Sequence, residues 1–131
     1  MSSLRWHFPA APQSVADARR AARTAAHSYG LDARLIDAIA LCVSEAVTNA
    51  VIHAYRGHVQ PGCVEVEARK PDSFICIYVR DAGSGMEPRT DSPGSGFGLP
   101  MIAELASDVS IRSGDPEAPG TELAMRFDLQ S

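Results

Sequence analysis

The stretch that most constrains this chain is residues 35–55, LIDAIALCVSEAVTNAVIHAY, whose spacing predicts one long helix that is apolar over most of its girth. Leu35, Ile36, Ile39, Ala40, Val43, Ala46, Val47, Ala50 and Val51 cover one side. Ser44, Glu45, Thr48 and Asn49 fall within an arc of roughly 140° on the other, with Asp37 inside the arc and His53 at its edge. A helix of this kind is buried over most of its surface, so its few polar groups need partners or must line a cavity. Glu45 and Asn49 stand one turn apart and point the same way, which suits a carboxylate to act as a base and a carboxamide to act as a hard-metal ligand. A polar face meeting solvent satisfies the same spacing.

The rest of the chain fits around that helix. Leu4, Trp6 and Phe8 alternate with Arg5 and His7, the pattern of a short half-buried strand. Residues 12–29 carry Val15, Ala18, Ala22, Ala25 and Ala26 at helical spacing, and Gly30 ends that helix. Asp32 is placed to cap the next one. Val64, Val66 and Ala68 alternate with Glu65, Glu67 and Arg69, which predicts a strand with one wet face. Residues 74–79 are apolar almost without break and predict a central strand covered on both sides, joined to the previous one in an antiparallel hairpin. Residues 99–106 read as a short helix, and Val109, Ile111 and then Leu123, Met125, Phe127 and Leu129 mark two closing strands. Helices come early and strands late, so the expected fold class is α+β: a two-layer sandwich with helices on one face of a mixed, largely antiparallel sheet, in a single domain over residues 1–131.

No apolar run is expected to reach the ~18 to 20 residues of a membrane span, and MSSLRWHFPAAP lacks a signal peptide's apolar core, so the expected setting is the cytoplasm with no membrane partner. Cys42, Cys63 and Cys76 form no CxxC pair and read as buried thiols in a reducing compartment. A formal net charge of -4 argues against direct nucleic-acid binding, while leaving room for a small anion held by backbone amides and a metal.

Residues 81–98, DAGSGMEPRTDSPGSGFG, hold five glycines and two prolines and form a loop of functional size. Asp81 begins it directly after the central strand, where a carboxylate can accept from an exocyclic amine; Asp-X-Gly is also a common strand-end turn. Gly94, Gly96 and Gly98 precede a helix whose free amides suit phosphate oxygens. There is no GxxxxGK[ST] and no GxGxxG after a first strand, which excludes the ordinary P-loop and dinucleotide fold. Gly120-Thr121 adds a hydroxyl at the start of the last strand.

In that order, Glu-x-x-x-Asn on a helix, Asp-x-Gly-x-Gly after a strand, Gly-x-Gly opening a helix and Gly-Thr before a strand resemble the ATP-binding domain of the GHKL superfamily, which includes histidine kinases and type II topoisomerases. The run EAVTNAVIHAY and the small size are most similar to the bacterial anti-sigma factor serine kinases. The resemblance covers about residues 4–129 and implies the Bergerat fold, with ATP and magnesium as cofactors. It makes Asn49 the magnesium ligand and Glu45 the base toward a serine on an anti-anti-sigma antagonist. Asp81 would bind the adenine amine with Gly83, Gly85 and Thr121 around the base, and Gly96 and Gly98 would close over the phosphates. Met86, Phe97 and Leu99, which adjoin these glycines, count with the nucleotide-contacting residues, and His53 matches a position where packing and a phosphate contact are both open. The implied activity is a protein serine/threonine kinase that also sequesters a sigma factor, with a homodimer expected. The alternative is a nucleotide-binding regulatory module that transfers no phosphate. Arg89 is the one cation between Gly85 and Gly96, and Gly94 stands where some relatives carry a basic residue.

Overall fold

The computed structural model describes residues 2–54, 62–82, 98–114 and 120–129. Five strands form one sheet: β1 (Ser2–Pro9), β2 (Cys63–Lys70), β3 (Phe74–Asp81), β4 (Asp108–Ser113) and β5 (Thr121–Asp128), in the order β1-β2-β3-β5-β4. Each described pairing is antiparallel. Since β4 and β3 both run against β5, they run the same way as each other, and the crossover between them carries the helix α3 (Gly98–Leu105). With α1 (Gln13–Ser28) and α2 (Ala33–Asn49), α3 completes the helical layer, in which α2 packs against both of the others and against the sheet.

The helix boundaries follow the local chemistry. Gly30 adopts φ +73, which ends α1 at little steric cost. The Asp32 carboxylate accepts a hydrogen bond from the Leu35 N–H at 2.8 Å, the capping expected from the sequence. Ala18, Ala22, Ala25 and Ala26 are buried, so along most of its inner face α1 presents small methyl side chains, with Ser14 buried and Val15 packed at its start. Ile39, Val43 and Val47 of α2 share one core with Val64, Val66, Ile75, Ile77, Ile102, Leu123, Met125 and Phe127.

Several expectations change. Regular α-helix stops at Asn49, and residues 50–54 form a π turn; its i→i+5 bonding adds a residue to the turn, so the 3.6-residue phase that put His53 at the edge of the polar arc does not carry past Ala50. The segment Ala33–Ile52 does meet the length and apolarity of a membrane span, contrary to the sequence reading, with an 18-residue window of mean hydropathy 1.7; 56% of that window is buried inside the protein, where the segment serves as the central helix of the core. Cys42 is buried and Cys76 half-buried, but Cys63 is exposed, because it opens β2 at the edge of the packed region.

The sheet face away from the helices differs most from its reading. Strand β3 alternates buried and half-buried residues, so helices cover one face only. The other face is roofed by arginines. Arg69 and Arg80 lie over the Tyr78 ring at 4.9 and 4.8 Å from its centroid, and Arg126 lies over Phe74 at 5.8 Å. Beneath them Glu67 is 1% exposed, although the alternation of β2 placed it on a wet face. Its carboxylate accepts from Arg69 Nε at 2.7 Å, Arg80 Nη1 at 2.7 Å and Ser3 Oγ at 3.0 Å. The Arg69 hydrogen bond, with Arg80 and Ser3, outweighs burial and lowers the Glu67 pKa from 4.5 to about 2. Burial works against the charge on Arg80, but its hydrogen bonds to Glu122, Glu67 and Glu65 prevail and raise its pKa.

Candidate functional site

Two parts of the fold carry the residues singled out in the sequence. The first is the outer side of α2. Glu45 is half-buried there, and Asn49, the last α-helical residue, is 4% exposed. The polar arc is therefore no open wet face. Ser44, at one end of the arc, is 7% exposed; its hydroxyl donates to Ala40 O at 2.9 Å and accepts from Arg19 Nη1 of α1 at 3.4 Å. Thr48 Oγ1 donates to Ser44 O at 2.7 Å. The hydroxyl protons of Ser44 and Thr48 are thus both given to carbonyls of their own helix.

Asn49 differs. Its Nδ2 is buried with no hydrogen-bond partner among the described residues, a cost of roughly 1–3 kcal/mol that a bound group could relieve. Rotating the carboxamide by half a turn puts its oxygen there instead, a neutral hard donor of the type magnesium accepts. No cluster of three or more His, Cys, Asp and Glu suited to a metal occurs among the described residues. The site therefore fits a cation that keeps its waters and takes few protein ligands, as magnesium does beside phosphates. Asn49 would hold it, with Glu45 about 6 Å back along the helix axis. Next to them the Cys42 thiol is pushed up to about 11 by burial, reinforced by the charge of Glu45, so it stays protonated at neutral pH.

The second part is the end of the sheet. Asp81 closes β3 and Thr121 opens β5, and the two are direct cross-strand partners. Thr121 is 4% exposed. Beside them is an open groove of about 270 Å³, lined also by Arg80, Arg112, Ser113, Gly114, Gly120 and Glu122. Gly120 adopts φ +147, and a Cβ there would collide with the Asp81 carbonyl oxygen. Gly114 N–H donates to Gly120 O at 2.8 Å, joining the end of β4 to the start of β5. The site thus depends on a glycine at position 120 to bring the backbone against Asp81, a role the sequence reading missed; a glycine directly before Thr121 was its available signal.

The remaining candidates stand as follows. Gly98 and Leu99 open α3, and His53 falls in the π turn; the side chains of Leu99 and His53 lie outside the described residues. Gly83, Gly85, Met86, Gly96 and Phe97 also lie outside them. Arg19, which no sequence pattern marked, reaches from α1 to the residue next to Glu45.

The chain is 34% identical over 104 residues to the Anti-sigma F factor of Clostridium acetobutylicum, covering 70% of this chain and 68% of that protein. It is 30% identical over 120 residues to the Serine-protein kinase RsbW of Oceanobacillus iheyensis, covering 80% and 75%. Its fold matches the crystal structure of the RsbU and RsbW domains of a Mycobacterium tuberculosis protein with a TM-score of 0.76 and 27% identity, over 98% of this chain and 33% of that one. Residues 8–127 match the histidine kinase-like ATPase domain, a span that takes in the α2 pair, the Asp81 strand end and Thr121, and the chain belongs to that family.

Proposed function

We propose that the protein is an ATP- and magnesium-dependent protein serine kinase, working as a single domain over residues 1–131, that phosphorylates an anti-anti-sigma antagonist and sequesters a sigma factor. The observation that carries the reading is the buried carboxamide of Asn49, whose Nδ2 has no hydrogen-bond partner among the described residues, one turn from the half-buried Glu45 on a core helix. The names of two relatives, an anti-sigma factor and a serine-protein kinase, support the same assignment.

In this reading Asn49 holds the magnesium that neutralises the phosphates. Glu45 accepts the proton of the antagonist's serine hydroxyl as that oxygen bonds to the γ-phosphorus, while the bond from phosphorus to the departing ADP oxygen breaks. Asp81 accepts from the adenine amine, and Thr121 with Gly83, Gly85 and Met86 lines the base. Gly96, Phe97, Gly98 and Leu99 close over the phosphates. His53 either packs or touches a phosphate. We place the protein in the cytoplasm as a homodimer, with no direct nucleic-acid or membrane contact. Strand β1 supports the dimer, since it is an edge of the sheet among the described residues, while Trp6 is already half-buried against the core.

Incubation with γ-labelled ATP, magnesium and serine-bearing antagonist proteins tests the reading: label should appear on the antagonist's serine. If ATP binds and no antagonist takes label, the protein is a nucleotide-dependent partner switch without phosphate transfer. The sparse positive charge of the segment between Gly85 and Gly96, where Arg89 is the one cation, favours that second reading.

A further inference from the structure

We propose that the ridge of α2 carrying Glu45 is the surface on which the serine-bearing partner sits, and that Leu41 and Ile52 select a partner whose serine lies within an apolar surface patch. This rests on the reading of Glu45 as the base toward a protein serine.

The large hydrophobic side chains left exposed among the described residues are few: Leu4, Leu41, Ile52 and Leu105. Scattered single ones are ordinary on a protein surface, so position decides what they mean. Leu41 is 42% exposed and lies one turn before Glu45 on the same stripe of α2, about 6 Å along the axis. Ile52 is 48% exposed and lies beyond Glu45 in the π turn. Between them Thr48 is half-buried, and its hydroxyl is already donated to the helix backbone. Glu45 is therefore the one charged residue between Leu41 and Ile52, and the side chains exposed along that span are these two apolar ones.

That arrangement defines the occupant. A base must come within roughly 2.6–3.2 Å of the hydroxyl it deprotonates, so the protein surface around an accepting serine has to cover residues one helical turn away. A charged or strongly polar neighbour of that serine would be buried against Leu41 with no partner, which is unfavourable; an apolar neighbour would remove both surfaces from water. Glu45 is the ridge's own polar anchor, so a partner with a lone serine hydroxyl inside an apolar patch matches it group for group. Asn49 is buried whereas Leu41 and Ile52 are exposed, so the group that would hold magnesium is not itself part of the exposed apolar surface.

The test compares the wild type with Leu41→Asp, Ile52→Asp and the shape-conserving Leu41→Met, using the antagonist protein that the wild type labels from γ-labelled ATP. Each aspartate variant should raise KM for the antagonist at least tenfold while kcat, ATP affinity and the thermal midpoint stay near wild type, and Leu41→Met should retain the wild-type KM. Unchanged KM in both aspartate variants overturns the inference and leaves the kinase reading standing. A change in molecular mass with no change in KM also overturns it, since the ridge would then cover a second copy of the chain. If the wild type labels no antagonist, the kinase reading fails first and this inference falls with it.

Discussion

Asp81 and Thr121 are direct partners across β3 and β5, so two residues forty positions apart form one short edge at the end of the sheet. Gly120 presses the chain against the Asp81 carbonyl from the same side. The residue whose carboxylate would read the nucleobase is therefore fixed in the sheet by strand pairing.

Nucleobase choice follows from that carboxylate. Asp81 can accept from an adenine amine and repels a guanine carbonyl, so ATP should bind much more tightly than GTP, and Asp81→Asn should weaken ATP strongly. A buried polar mismatch is worth ~1–3 kcal/mol, up to about a hundredfold in affinity. Calorimetric titration with both nucleotides measures the difference, and equal affinities would remove the adenine assignment.

Gly120→Ala should damage the same site without touching a ligand group. A side chain at φ +147 is strained and meets the Asp81 carbonyl, so the variant should lose about 1–3 kcal/mol of stability and bind ATP more weakly. Thermal unfolding and nucleotide titration together check this. Normal values in both would mean that the backbone at this corner is free to shift.

Glu45 and Asn49 should separate when each is changed. Glu45→Gln keeps the shape and removes proton acceptance, so ATP affinity should hold while phosphorylation of the partner falls by ~10²-fold or more. Asn49→Ala should lower both, because it removes the group that would hold magnesium. A Glu45→Gln protein that phosphorylates at the wild-type rate would sink the kinase assignment.

Glu67 should govern acid stability. Its folded pKa of about 2 lies below the ordinary 4.5, so its ionised form stabilises the fold above pH 4.5, and that contribution is lost as pH falls toward 2. Glu67→Gln should therefore be less stable than the wild type at pH 7 and converge with it in acid. Denaturant unfolding at pH 7, 4 and 2.5 gives the comparison; a gap that stays constant with pH would mean that the arginine roof does not depend on this charge.

The local pattern of the chain determined much of this protein on its own. A long apolar helix interrupted by Glu45 and Asn49, a cap at Asp32, a stop at Gly30 and alternation in β1, β2 and β5 are short-range properties, set by side-chain period and backbone sterics. The order of four weak motifs was legible for the same reason, since each is a few residues long. Tertiary structure decided the rest. The alternation of β2 cannot reveal that Glu67 is buried, because its cover comes from Arg69, Arg80 and Ser3 on three strands. Helical phase cannot foresee the π turn after Asn49, since one added residue shifts every later side chain. Nor can the sequence place Gly120 against Asp81 or Arg19 beside Ser44, because those contacts exist only once strands pair and helices pack, and the geometry of the site is assembled by that long-range closure.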